Sequence, residues 1–217
     1  ELTKLLENTF RHVNVALVNE LAVFAGQLGV DTWEAIDAAA SKPFGFMRFT
    51  PGPGVGGHCL PIDPSYLSWA VKRSLGHQFR FIELANEVND RMPEHVVQRV
   101  TLGLNTRRKP VNGSRVLVLG LAYKKNVGDV RESPAIEVAE VLAKLGADIL
   151  VAEPMAEPAL LPANLELVEG TPEQVRAADA VVVLTDHDQF DYAMIEREAT
   201  YIFDARNRCQ GPAVERL

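Results

Sequence analysis

Cysteine is scarce in this sequence. Of 217 residues only Cys59 and Cys209 carry a thiol, and they lie far apart. That excludes a disulfide framework and the paired-cysteine spacing of structural zinc sites, and makes a reducing cytoplasm the expected setting. The five histidines (His12, His58, His77, His95 and His187) form no HxxxH or cysteine–histidine grouping, so no metal is expected. No apolar run reaches the length of a membrane span, and neither a membrane segment nor a signal peptide is expected. Basic residues are outnumbered, 22 Lys+Arg against 29 Asp+Glu, and the net charge of −7 argues against nucleic acid or an anionic membrane as partner. Also missing is a dinucleotide fingerprint, a Gly-x-Gly-x-x-Gly loop set between a strand and a helix; the glycines spaced that way here, Gly52, Gly54 and Gly57, follow no strand pattern. The first residue, Glu1, already reads as helix, and the chain reads as a fragment.

What the sequence does hold is concentrated between Phe49 and Leu67, in Phe-Thr-Pro-Gly-Pro-Gly-Val-Gly-Gly-His-Cys-Leu-Pro-Ile-Asp-Pro-Ser-Tyr-Leu. Gly52, Gly54, Gly56 and Gly57 let the backbone reach positive φ or approach a bound group closely. Pro51, Pro53, Pro61 and Pro64 stiffen the same path. Pro64 suits the first position of a helix, which predicts Asp63 as N-cap and sets Cys59 near a helix N-terminus. Unpaired N–H groups there favour a thiolate, the form in which cysteine is a nucleophile. A lone cysteine equally fits a small buried apolar residue, and a glycine- and proline-rich stretch equally fits an ordinary loop.

Hydrophobic content of 47% and charged content of 24% are ordinary for a globular chain with a sizeable core. Leu2, Leu6, Phe10, Val13, Leu17, Leu21, Phe24 and Leu28 recur at gaps of three and four, which predicts a long amphipathic helix stopped by Gly29. Lys4 and Asn8 share one face of it, fit either to steady an oxyanion together or to form a solvated outer surface. Asp31 and Glu34 open a second helix, Pro64–Leu75 reads as a third, and Phe81–Val100 as a fourth with Pro93 as kink or restart. Residues 1–105 are therefore expected to form a helical domain.

The character changes at a polar Pro- and Gly-containing linker, Thr106–Gly113. Strands are expected at Arg115–Leu119, Ile149–Ala152, Leu165–Val168, Ala180–Leu184 and Tyr201–Asp204. Helices open at Ser133-Pro134 and at the capping box Thr171-Pro-x-Gln174. Alternation of strand and helix predicts a parallel sheet, so residues 106–217 read as a small Rossmann-like domain in an α/β chain. Ligands of such domains bind at the carboxyl ends of the strands. There the loop Gly120–Pro134 is too long and lacks the spaced glycines of a dinucleotide loop. Its Lys124, Lys125 and Arg131, beside a helix N-terminus, suit phosphate, although a solvated basic loop would look the same. Glu153, in the place of a ribose-binding acid, reads as structural because the loop before it is wrong for NAD.

Taken together, Pro-Gly-x-Gly-x-Gly-Gly-x-Cys-x-Pro-x-Asp, Gly-x-Ala-Tyr-Lys-x-x-x-x-Asp-x-Arg-x-Ser-Pro, Asp204-x-Arg206-Asn207 and Thr-Lys-x-x-x-Asn resemble the UDP-glucose/GDP-mannose dehydrogenase family over the whole chain. The resemblance implies oxidation of a primary sugar alcohol on a nucleotide sugar to a carboxylate with two NAD. By carry-over Cys59 is the nucleophile of a thiohemiacetal and thioester, Asp63 serves the hydrolytic water, and Lys4 and Asn8 hold the oxyanion. Gly56, Gly57, Tyr123, Lys124, Arg131 and Arg206 fall in motifs that would meet the UDP-sugar. The same resemblance implies a homodimer through the helical domain and an NAD-binding domain outside this sequence, leaving the fragment inactive alone. His58 before the cysteine and Asp-Pro after it resemble the UDP-N-acetylhexosamine branch, with a UDP-glucose 6-dehydrogenase as the alternative. Two other classes stay open, a thiol acyl-transferase or hydrolase and a non-catalytic nucleotide-binding and dimerisation module.

Overall fold

A computed structural model describes residues 1–217. Helix α1, Leu2–Leu28, ends where Gly29 turns left-handed at φ 70° and its N–H returns to the Ala25 and Gly26 carbonyls. Its apolar stripe is not its buried face. Leu17, Leu21, Phe24 and Leu28 are exposed, whereas Asn8, Thr9, His12, Ala16, Asn19, Ala22 and Ala25 are buried. Helix α2, Thr32–Ala40, is capped by Asp31, whose Oδ1 accepts from the N–H groups of Trp33 and Glu34. The buried Trp33 donates from Nε1 to the Leu217 carbonyl at 2.9 Å, tying this helix to the last strand region.

Helix α3 runs Ile62–Leu75 and so begins earlier than Pro64 predicts. Asp63 lies inside its first turn and is not its N-cap. The Asp63 N–H already bonds the Cys59 carbonyl at 3.0 Å, and its carboxylate is engaged elsewhere. Helix α4, Arg80–Asp90, stops at Arg91, and α5, Met92–Thr106, starts afresh with Pro93 in its first turn, where the missing N–H costs nothing.

The second half is a six-stranded sheet, every pairing parallel, in the order β3-β2-β1-β4-β5-β6. The strands are β1 Arg115–Leu119, β2 Asp148–Ala152, β3 Glu166–Leu167, β4 Ala180–Val183, β5 Ile202–Asp204 and β6 Val214–Arg216. In the two central strands alternate residues serve opposite faces. Val116, Val118 and Val182 pack on Val96, Val100 and Leu104 of α5 and on Val138 and Leu142 of α6, Pro134–Lys144. Leu117, Leu119, Val181 and Val183 pack on Val175 of α7, Pro172–Ala177, and on Met194 and Ile195 of α8, Tyr192–Glu198. The sequence reading does not contain α8 or β6, both too short to show a period. Because α5 and Ala22 of α1 share the sheet's core, the cysteine loop is held against the carboxyl ends of the strands. No helix is long and apolar enough to cross a membrane.

Candidate active site

The cysteine loop, the polar face of α1 and the loop after β1 enclose a cleft of about 700 Å³. Lys4, Asn8, Gly56, Gly57, Cys59, Tyr123, Lys124, Arg131 and Arg206 all line it, so nine residues singled out in sequence meet in one cavity. Asp63 stands behind the wall. Its Oδ2 takes Lys4 Nζ at 3.0 Å and accepts from Asn8 Nδ2 at 2.8 Å. Lys4 and Asn8 thus bridge the Asp63 carboxylate and the cleft that holds the exposed Cys59. The hydrogen bond and charge of Asp63, and then Cys59, push the Lys4 ammonium above its ordinary value, so it remains a cation.

Glycine brings the two halves of the site into contact. Gly57 has φ 86°, and a Cβ there would stand 2.9 Å from the Tyr123 ring. At Gly52 a Cβ would meet Arg206 Nη1 at 2.5 Å. A side chain at Gly57 would push the cysteine loop off the Tyr123 ring, and one at Gly52 would displace the Arg206 guanidinium.

That second loop is shaped by Glu153, whose side chain is fully buried with His187. Glu153 Oε2 accepts from the N–H groups of Leu121 (2.6 Å) and Ala122 (3.0 Å), and Oε1 from those of Met155 and Ala156. His187 Nε2 lies 3.2 Å from Oε2, and its Nδ1 accepts from the Asn126 N–H at 3.0 Å. Burial alone would raise this carboxyl. His187 and the backbone donors outweigh it and hold Glu153 at about 2. The acid read as structural in sequence is therefore the anchor of the loop. It also occupies the N–H groups after β1 that a dinucleotide pyrophosphate would need, so these residues do not fit NAD.

Lys124 is exposed above the Tyr123 ring, 5.4 Å from its centroid, and forms no ion pair. Arg131 is committed differently. It grips Asp129 through Nε at 2.9 Å and Nη2 at 2.7 Å, holding that carboxylate at about 2. Lys125 turns out of the cleft to Asp188 at 2.7 Å. Asp204 accepts from the N–H groups of Arg206, Arg208 and Cys209, forming the turn that presents Arg206. Burial pushes the Cys209 thiol up to about 12, leaving Cys59 as the accessible one. Sequence reasoning missed Arg11 and gave no role to Asp129, although it is the acid of the Gly-x-Ala-Tyr-Lys motif; both line the cleft. Arg11 was discoverable, since it follows Asn8 by one helical turn. No cluster of His, Cys, Asp and Glu could hold a metal.

With this geometry in view, residues 1–91 match the central domain of the UDP-glucose/GDP-mannose dehydrogenase family and residues 117–211 its UDP-binding domain. The chain belongs to that family of nucleotide-sugar dehydrogenases. It is 38% identical over 211 residues to the NDP-N-acetyl-D-galactosaminuronic acid dehydrogenase of Ralstonia nicotianae, covering 95% of this chain and 47% of that protein. To the UDP-N-acetyl-D-mannosamine dehydrogenase of Escherichia coli K12 it is 38% identical over 197 residues, 88% of this chain and 46% of the relative. The structure of the UDP-D-ManNAc dehydrogenase of Pyrococcus horikoshii superposes with a TM-score of 0.82 at 32% identity, over 100% of this chain and 51% of that one. This chain thus spans about half the length of the relatives it matches.

Proposed function

We propose that this chain is the cysteine- and nucleotide-bearing half of an NAD-dependent nucleotide-sugar dehydrogenase. It would oxidise the sugar C6 alcohol to a carboxylate, with UDP-N-acetylglucosamine or UDP-N-acetylmannosamine as substrate. The observation that supports this most is the shared cleft, in which Cys59 faces the Tyr123–Lys124 and Arg206 side while Lys4 and Asn8 stand beside it. His58 next to the cysteine and the N-acetylhexosamine relatives favour that branch over UDP-glucose.

In this reading the nucleotide sits on the loop after β1, with Lys124 and Arg206 on its phosphates, and the sugar reaches Cys59. The Cys59 sulfur adds to the C6 aldehyde carbon and its C=O becomes an oxyanion, which Lys4 and Asn8 stabilise. Once the carbon stands at the thioester level, water adds to it and the C–S bond breaks. Carboxylic acid leaves and the thiolate returns. Asp63, behind that pair, acts on the water through Lys4 and Asn8, which it holds in position. The hydride removals belong to NAD, for which these residues form no site. The exposed apolar face of α1 and α4, with Leu17, Leu21, Phe81 and Leu84, is assigned to a second copy of the chain.

Calorimetry on the chain tests the nucleotide half of the reading. UDP is expected to bind and NAD is not, and NAD binding without UDP binding would overturn it. Light scattering that finds a monomer at high concentration would remove the dimer.

A further inference from the structure

Helix α1 turns an apolar stripe outward and buries amides and an imidazole. His12 is 1% exposed, Asn19 0%, and Asn89 of α4 3%. These groups form one continuous chain. The Gly52 N–H donates to Asn19 Oδ1 at 2.9 Å, and Asn19 Nδ2 donates to Asn89 Oδ1 at 2.9 Å. Asn89 Nδ2 faces His12 Nδ1 at 3.4 Å and the His12 carbonyl at 3.5 Å. Across the ring, His12 Nε2 lies 2.8 Å from Asn86 Oδ1. Asn86 Nδ2 donates to Ser65 Oγ at 3.3 Å, and the Ser65 hydroxyl donates to the Pro61 carbonyl at 2.8 Å. The chain starts on the backbone of Gly52 and ends on that of Pro61, the two residues that bracket Cys59.

The relay has a single polarity. A backbone N–H only donates and a carbonyl only accepts, so each amide in between is oriented by its neighbour. His12 must then accept at Nδ1 and donate from Nε2, which makes it neutral with its proton on Nε2. An imidazolium would point Nδ1–H at the Asn89 amide, setting donor against donor. Burial lowers the His12 pKa from its ordinary value, while Asn86 and the carboxylate of Asp90, the charged group facing it from α4, work in the other direction.

We propose that His12 and Asn19 are positioning residues for the cysteine loop: the buried relay they complete fixes both ends of Gly52–Pro61 and so the aim of Cys59 into the cleft. The catalytic consequence rests on the reading of Cys59 above, whereas the clamp on the loop does not. Its buried polar groups are all satisfied along one path, the condition under which such a network specifies one geometry.

The test uses the chain itself. Nitrogen-15 NMR of labelled histidine at about pH 6 should show His12 neutral with its proton on Nε2, the signal being assigned by its loss in His12→Gln. In His12→Leu, amide exchange across Gly52–Cys59 and alkylation of Cys59 by iodoacetamide should each quicken by about threefold or more, while exchange in the central strands is unchanged. His12→Gln, whose amide keeps one acceptor and one donor, should restore both rates. Ser65→Ala removes only the half-buried last link and should move both rates the same way by less, which covers failure of His12→Leu to fold. An Nδ1–H tautomer or an imidazolium at that pH would overturn the proposal. So would unchanged loop exchange and alkylation in Ser65→Ala and His12→Leu, or a His12→Gln that behaves as His12→Leu. None of these readouts uses turnover, so a failure of the Cys59 chemistry would show separately.

Discussion

Two loops face each other across the cleft and are held by opposite means. The cysteine loop is fixed from behind by neutral groups, the amides of Asn19, Asn89 and Asn86 and the ring of His12. The loop after β1 is fixed by a buried charge, the Glu153 carboxylate with its four backbone N–H donors and His187. The difference matches what each loop presents. The first carries a thiol whose reactivity depends on local charge, and a neutral anchor leaves Lys4 and Asp63 as the nearby ions. The second brings the cations Lys124 and Arg131 to the cleft, where the proposed function puts a nucleotide's phosphates, and its anchoring carboxylate is sealed from the cleft at 0% exposure. Damage to the first loop should therefore appear in chemistry, and damage to the second in binding or in acid stability.

The sharpest separation is Cys59→Ala, measured with this chain joined to the NAD-binding portion that the proposed function requires. Acid formation should fall roughly 1,000-fold or more, because the covalent route is gone. UDP affinity measured by calorimetry should stay within about twofold, since Lys124 and Arg206 are untouched. Normal acid production by this variant would break the covalent mechanism. Asp63→Asn comes next. Losing the carboxylate that holds Lys4 at 3.0 Å should slow turnover about 10- to 100-fold, and thioester hydrolysis most of all. A sugar adduct on Cys59 should then accumulate and be visible by intact-protein mass spectrometry. Slowed turnover with no adduct would place Asp63 in an earlier step.

On the other loop the expected signature is acid lability. Glu153 is held at about 2 in the folded chain against an ordinary 4.5. A depressed carboxyl contributes stability that is complete above the unfolded value and is lost as pH falls through the folded one. The loss should therefore run from about pH 4.5 down to 2 and amount to roughly 3 kcal/mol. Asp129 is depressed into the same window, so the wild-type slope alone does not isolate Glu153. The comparison that does is Glu153→Gln, whose thermal midpoint should be lower at neutral pH and fall less steeply with acid. An identical acid slope in both proteins would remove Glu153 as the anchor.

How much of this was legible in the sequence depended on whether a local rule or a distant partner made the choice. Gly29, the Thr171–Gln174 capping box and Ser133-Pro134 all act where they stand, and each marks the boundary it was read to mark. Asp63 was misread because Pro64 is a strong local signal, while Lys4 and Asn8 claim the carboxylate from another helix. The period of α1 was plain, yet its burial is inverted. Leu17 is 62% exposed while Asn19 is at 0%, since the partners of that polar face are Asn89 and a backbone N–H of the cysteine loop. Nine of the ten site residues share the cleft, and the family resemblance, not spacing, singled them out: Lys4 and Asn8 sit on a helix whose spacing equally fits a solvated face. The sheet order that sets the two loops together is not written in either of them.

The smallest expected effect concerns which cation in the second loop meets the phosphates. Lys124 and Arg131 look alike in sequence, both basic and both before the N-terminus of α6. In the structure they are not equivalent, since Lys124 has no ionic partner while one edge of the Arg131 guanidinium, Nε and Nη2, lies on the Asp129 carboxylate. A pyrophosphate approaching Arg131 meets a nearly neutral pair, and one approaching Lys124 meets a free charge at an exposed site. Lys124→Ala should therefore weaken UDP binding about tenfold at low salt and less as ionic strength rises, because an exposed charge is screened. Removing Arg131 alone would leave Asp129 facing the phosphates, so the informative variant removes both. Arg131→Ala combined with Asp129→Ala should keep UDP affinity within about threefold of wild type. Equal losses in Lys124→Ala and in the double variant, measured by calorimetry at two salt concentrations, would show that Asp129 releases Arg131 to the ligand and that the two cations act together.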